Sequence, residues 1–128
     1  MADKVVFSLL ETPLFPDFSR LFQRLGYREQ RFDSTRKAIS ALKTQQPDLV
    51  LGEFVYGYGN NYAGVNICNL DVFLYSLQKY APAAGVIVLV EKGEREYAAK
   101  LADLFDLQAI LTLPVTEQAL LAAINSDE

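Results

Sequence analysis

The chain has 128 residues, 51% of them hydrophobic and 22% charged, which suits one globular domain whose core needs no disulfide or metal staple. Its formal net charge is −4 and its Lys and Arg are scattered, so no basic stripe marks direct nucleic-acid binding. The sequence contains no histidine, which excludes histidine triads, imidazole metal ligands and the commonest general base.

A single cysteine, Cys68, leaves no partner for an internal disulfide. Met1-Ala2-Asp3-Lys4 lacks the basic start and long apolar stretch of a signal peptide, and no uninterrupted apolar run is long enough to span a bilayer. A cytoplasmic protein without a membrane anchor is therefore expected.

Lys4 to Leu10 is apolar and β-prone, and Glu11-Thr12-Pro13 bounds it as a first strand. Pro16 opens a helix in which Phe18, Leu21, Phe22 and Leu25 share one face. Gly26 suits the left-handed position after that helix. Arg28 to Phe32 forms a short polar second strand, expected at an edge. Ser34 is the N-cap of a second helix over Thr35 to Gln45, with Ala38, Ile39, Ala41 and Leu42 inward. Pro47 ends it, and Leu49 to Phe54 makes the third strand.

Tyr56 to Asn69 is rich in glycine and asparagine, which tolerate positive φ, so a long loop is expected. A third helix runs from about Leu70 to Tyr80 with Phe73, Leu74 and Leu77 inward. Val86 to Val90 is continuously aliphatic, like a strand buried on both faces. Glu94 to Phe105 is a fourth helix, Ala109 to Leu113 a fifth strand, and Thr116 caps a last helix ending near Asn125. Strand and helix alternate five times, which predicts one domain over residues 1–128. Its expected fold is a three-layer α/β, flavodoxin-like (βα)5 with a five-stranded parallel sheet in order 2-1-3-4-5.

Pro47-Asp48-Leu49-Val50-Leu51-Gly52-Glu53, Val86 to Gly93 and the Leu113-Pro114 corner together resemble the receiver (CheY-like) domains of response regulators in two-component signalling. The likeness extends from Lys4 to about Ile124, and it is poorest in the third helix and its preceding loop. In that family paired acids hold magnesium, an aspartate accepts the phosphoryl group, and a hydroxyl and a lysine hold the phosphate. The resemblance sets Leu9 and Leu10 at the acid pair, Glu53 at the acceptor, Val90 at the hydroxyl and Leu113 at the lysine. Ile110 falls where receivers often carry a switching aromatic, and Pro114 keeps the family residue, so a cis Leu113-Pro114 bond is implied.

Four polar positions are thus aliphatic, and they read as an apolar plug. A divalent cation keeps its waters unless oxygen ligands replace them. Glutamate also carries its carboxylate a methylene further out than aspartate, which spoils in-line phosphoryl transfer. The expected protein is a pseudo-receiver, not an enzyme, without cofactor or metal. It would act through a protein partner or self-association at the face of the fourth helix, fifth strand and fifth helix, near Arg95, Tyr97, Lys100 and Leu104.

Glu53 reads either as a mimic of phosphoaspartate, with Lys92 as counter-charge, or as a solvated carboxylate at a strand end; the second reading is preferred. Tyr56, Tyr58, Asn60, Asn61 and Tyr62 read either as an interaction loop or as a cover over the third helix. Two other functions compete: a small-ligand domain using the 56–69 loop, and a carboxylate-dependent enzyme built on Glu11, Glu53 and Glu91. Gly57 and Gly59 lack the further glycine and lysine of a phosphate loop. No histidine is present to activate Cys68.

Overall fold

The computed structural model describes residues 4–9, 18–54 and 71–125. Within them the order is β1 (Lys4–Leu9), α1 (Ser19–Arg24), β2 (Tyr27–Phe32), α2 (Thr35–Leu42), β3 (Leu49–Glu53), α3 (Asp71–Tyr80), β4 (Gly85–Val90), α4 (Arg95–Leu104), β5 (Ala109–Thr112) and α5 (Glu117–Asn125). A single 3-10 turn, Lys92–Glu94, leads into α4. All strand pairs are parallel and the sheet order is β2-β1-β3-β4-β5, the flavodoxin-like arrangement.

Alternation along the strands feeds two cores. Val5, Phe7, Leu9, Val50, Val86, Val88 and Val90 pack with α2, α3 and α4. Val6, Leu49, Leu51, Ile87 and Leu89 pack with α1 and α5. Because β1, β3 and β4 are apolar on both faces, they occupy the centre; β2, with Arg28, Glu29, Gln30 and Arg31, takes an edge. No helix among the described residues is long and apolar enough to cross a membrane.

The helix ends follow local chemistry. Ser34 Oγ accepts the Lys37 amide at 3.2 Å and Thr116 Oγ1 accepts the Ala119 amide at 3.1 Å. Gly26 turns the chain out of α1 at φ 86°, where a Cβ would be strained. The second helix is shorter than its pattern implies. It ends at Leu42, and Lys43 and Thr44 tighten into bonds to Ser40 and Ala41 carbonyls three residues back, which brings the chain to the buried Pro47. The expected helix opening at Pro16 lies outside the described residues.

Asp48 joins three strands at their amino ends. Its carboxylate accepts the Val5 amide at 2.8 Å, its own amide donates to the Val5 carbonyl at 2.8 Å, and its carbonyl accepts the Gly85 amide at 3.1 Å.

Gln108, at the same end, donates through Nε2 to the carbonyls of Ala123 at 2.7 Å and Ile124 at 3.0 Å, satisfying otherwise orphaned groups of α5. A Cβ on Gly85 would collide with the Gln108 side-chain amide. Gly85→Ala should therefore act by evicting Gln108, destabilising by about 1–3 kcal/mol as two part-buried acceptors lose their donor. Urea unfolding of Gly85→Ala, Gln108→Ala and the double variant tests this. The double variant should fall well short of the sum, because both singles break the same bonds.

Candidate functional site

In an open parallel sheet, ligands collect beyond the carboxyl ends of the strands. Strand register brings those ends level. Leu9 pairs with Phe32 and Gly52, Glu53 with Leu89, and Val90 with Thr112. Two further bonds extend the ladder past the last strand residues: Phe54 N–H to the Leu89 carbonyl and Leu113 N–H to the Val90 carbonyl, both 2.9 Å.

The sequence-selected residues meet at this end but not on one face. Leu9, Phe54 and Val90 belong to the core under α2, α3 and α4. Leu113 packs, half-buried, against the core under α1 and α5, and Glu53 is in phase with Leu49 and Leu51 on that side. Leu9 is 1% exposed and Val90 0%, so these positions are packed core, with no side-chain oxygen to offer a cation. Leu10, Glu11, Tyr56, Tyr58, Asn60, Asn61 and Tyr62, with the whole 56–69 loop and Cys68, lie outside the described residues.

Glu53 is not the solvated carboxylate that its strand-end position suggests. It is 1% exposed. Its backbone belongs to the central strand β3, between β1 and β4, and its side chain is in phase with the core under α1 and α5. A buried carboxylate costs several kcal/mol unless it is partnered, and Glu53 is not without a partner. Glu91 and Lys92, by contrast, are exposed. Among the described residues no group of three or more Asp, Glu, Cys or His is placed to hold a metal ion.

The Leu113-Pro114 peptide bond is cis, turning the chain from β5 toward α5. Ile110 is half-buried against the α4 side of the sheet. Its carbonyl accepts Arg95 Nη1 at 3.3 Å, and the same nitrogen donates to Thr112 Oγ1 at 2.6 Å. One flank of α4 is thereby tied to β5. Tyr97 and Leu104, seven residues apart and on one stripe, lie on the opposite flank toward α3; Lys100 Nζ sits 5.6 Å from the Tyr97 ring centroid.

A polar cluster escapes sequence reasoning. The fully buried Ser8 donates to Glu29 Oε2 at 2.7 Å, and Ser19 donates to Glu29 Oε1 at 2.5 Å. One carboxylate thus ties β1, β2 and α1 together through short charge-assisted bonds. The available signal was a serine inside an aliphatic strand beside a strand carrying a glutamate, but no spacing rule pairs them.

No family model matches the chain, and no curated protein matches it by sequence. Solved structures do match. A response regulator receiver domain protein from Clostridium thermocellum superposes with a TM-score of 0.70 at 21% identity, covering 97% of this chain and 92% of that one. A receiver protein from Sinorhizobium medicae WSM419 gives 0.69 at 19%, covering 96% and 91%. A CheY-like receiver domain protein from Methanospirillum hungatei JF-1 gives 0.74 at 13%, covering 98% and 94%. At these identities the likeness shows the fold: the structural neighbours are response-regulator receiver domains, and the chain shares their (βα)5 architecture.

The burial of Glu53 has a measurable consequence. Glu53→Gln keeps the volume but exchanges an acceptor-only group for one with donors. It should cost about 1–3 kcal/mol in urea unfolding at neutral pH, as for a disturbed buried polar partner. A change within about 0.5 kcal/mol, ordinary for exposed positions, would mean that the carboxylate reaches water.

Proposed function

We propose that this chain is a pseudo-receiver, a signalling domain that acts by protein contact and independently of aspartyl phosphorylation. The receiver-like fold supports signalling, since receiver domains are generally non-enzymatic signalling domains. The observation that carries the further step is the complete burial of Leu9 and Val90 in the core. By resemblance these stand at an acid and the hydroxyl of the receiver pocket.

Phosphoryl transfer to a carboxylate needs a metal to neutralise the incoming oxygens, an in-line nucleophile and a cation to hold the product. Leu9 supplies no metal ligand, Val90 no hydroxyl and Leu113 no cation. Glu53 is enclosed on the other face of the sheet. Its best reading is a structural carboxylate. A phosphoaspartate mimic would need the sensing hydroxyl and lysine that Val90 and Leu113 replace.

We propose the α4-β5-α5 face as the site of partner contact, by resemblance to receivers, which often use it. There Arg95 is braced across β5, presenting an ordered polar edge. The carboxylate-enzyme reading is weaker, because Glu53 is buried while Glu91 is exposed. Nothing among the described residues favours the small-ligand reading.

Incubation with acetyl phosphate and magnesium, followed by intact-mass measurement, tests the proposal. Neither the wild-type chain nor Glu53→Asp should gain a phosphoryl group, because the missing groups act as a unit. A stoichiometric adduct removed by hydroxylamine, on either protein, overturns it.

A further inference from the structure

The large apolar side chains exposed among the described residues are Val72, Tyr75 and Leu104. Tyr75 on α3 stands beside Phe105, the residue that ends α4, and Leu104 precedes it, so these two border the α3–α4 cleft, whereas Val72 lies in the first turn of α3 at the far end. Tyr75 is 55% exposed and Leu104 53%, while the Tyr75 ring stands edge-on to Phe105 with centroids 4.9 Å apart. Behind Tyr75 the cleft deepens into a cavity of about 220 Å³ floored by Leu74, Leu77, Ala81 and Phe105. That is below the roughly 300–1,000 Å³ of small-molecule sites, and suits one large apolar side chain.

The cavity does not end in apolar surface. Pro82, Ala84 and Asp106 line it and also line a second cavity of about 440 Å³ that reaches Gln108. Asp106 and the nearby Asp103 are exposed, and neither forms an ion pair among the described residues. The last turn of α4 carries no basic residue, so its free carbonyls add negative potential at the same spot. An apolar socket therefore adjoins an acidic one, and no Lys or Arg is among the described residues that line either cavity.

We infer that the α3–α4 cleft is a docking site for a basic amphipathic segment of a partner protein. One large apolar residue of that segment fills the cavity beside Phe105, and a Lys or Arg one helical turn away meets Asp106. This matches the helix-in-groove mode of peptide recognition. A second copy of this chain is a poor occupant, because two-fold pairing would set its Asp103 and Asp106 against the same acids. The site lies at the amino end of β4, away from the strand ends discussed above, and does not depend on their being chemically silent.

Selection of a random peptide library on the full chain, followed by anisotropy titration of the enriched peptides, tests this. Enriched sequences should pair a large apolar residue with Lys or Arg within one turn. Asp106→Lys should weaken them about tenfold or more, since it sets like charge against like. Ala84→Phe, which fills the junction of the two cavities, should do the same. Arg28→Glu, an exposed change on the edge strand β2 at the far side of the sheet, should leave binding unchanged. Asp106→Lys changes an exposed residue, so its result stands even if Ala84→Phe unfolds. No enrichment, a consensus without a basic residue, or affinity indifferent to Asp106→Lys overturns the inference. So does self-association of the chain that Asp106→Lys abolishes, which would assign the cleft to a second copy.

Discussion

A single aspartate holds the sheet in step. Asp48 accepts the amide of Val5, the second residue of β1, returns a bond to the same residue, and takes the amide that opens β4. Parallel strands joined by long crossovers have no hairpin turn to set their register, and a slip of one residue would turn every side chain to the opposite face. The bonds at Asp48 oppose such a slip in β1, β3 and β4 together. From that alignment it follows that Leu9, Glu53 and Val90 arrive at one level, sixteen ångströms or so downstream for a strand of about five residues, and the pairing of β5 with β4 brings Leu113 beside them.

Asp48 also explains why the fold was legible. Pro47-Asp48 before an aliphatic run is among the features that made the sequence resemble a receiver, and its role is mechanical: a helix stop followed by a strand-start clamp. Signals of this kind act within a few residues of themselves. Ser34 as a cap, Gly26 at positive φ and the unbroken aliphatic run of β4 belong to the same class, and each is found in the described residues as read.

What stayed hidden depends on distance in the chain. A carboxylate at a strand end normally reads as solvated, yet Glu53 is 1% exposed, and no local pattern in the sequence encodes that burial. The bond between Ser8 and Glu29 spans 21 positions, and no local periodicity encodes it. The two flanks of α4 were likewise indistinguishable in sequence. Arg95 and Leu104 look like neighbours on one exposed surface until the contact of Arg95 with Thr112 fixes which flank faces β5.

The aliphatic strand ends carry an energetic consequence. Fully burying a Leu or Val side chain contributes roughly 1.5–3 kcal/mol, whereas clustered acids at the same places repel one another until a cation neutralises them. Leu9 and Val90 therefore turn a region that phosphoryl chemistry would keep polar and strained into ordinary core. If that end of the sheet is silent, as proposed, nothing there supplies the differential binding energy that a switch requires. Surfaces such as the α4 flanks must then be competent as they stand, one braced against β5 and the other open over an acidic cleft. A domain of this kind would be regulated by the supply of its partner instead of by its own modification.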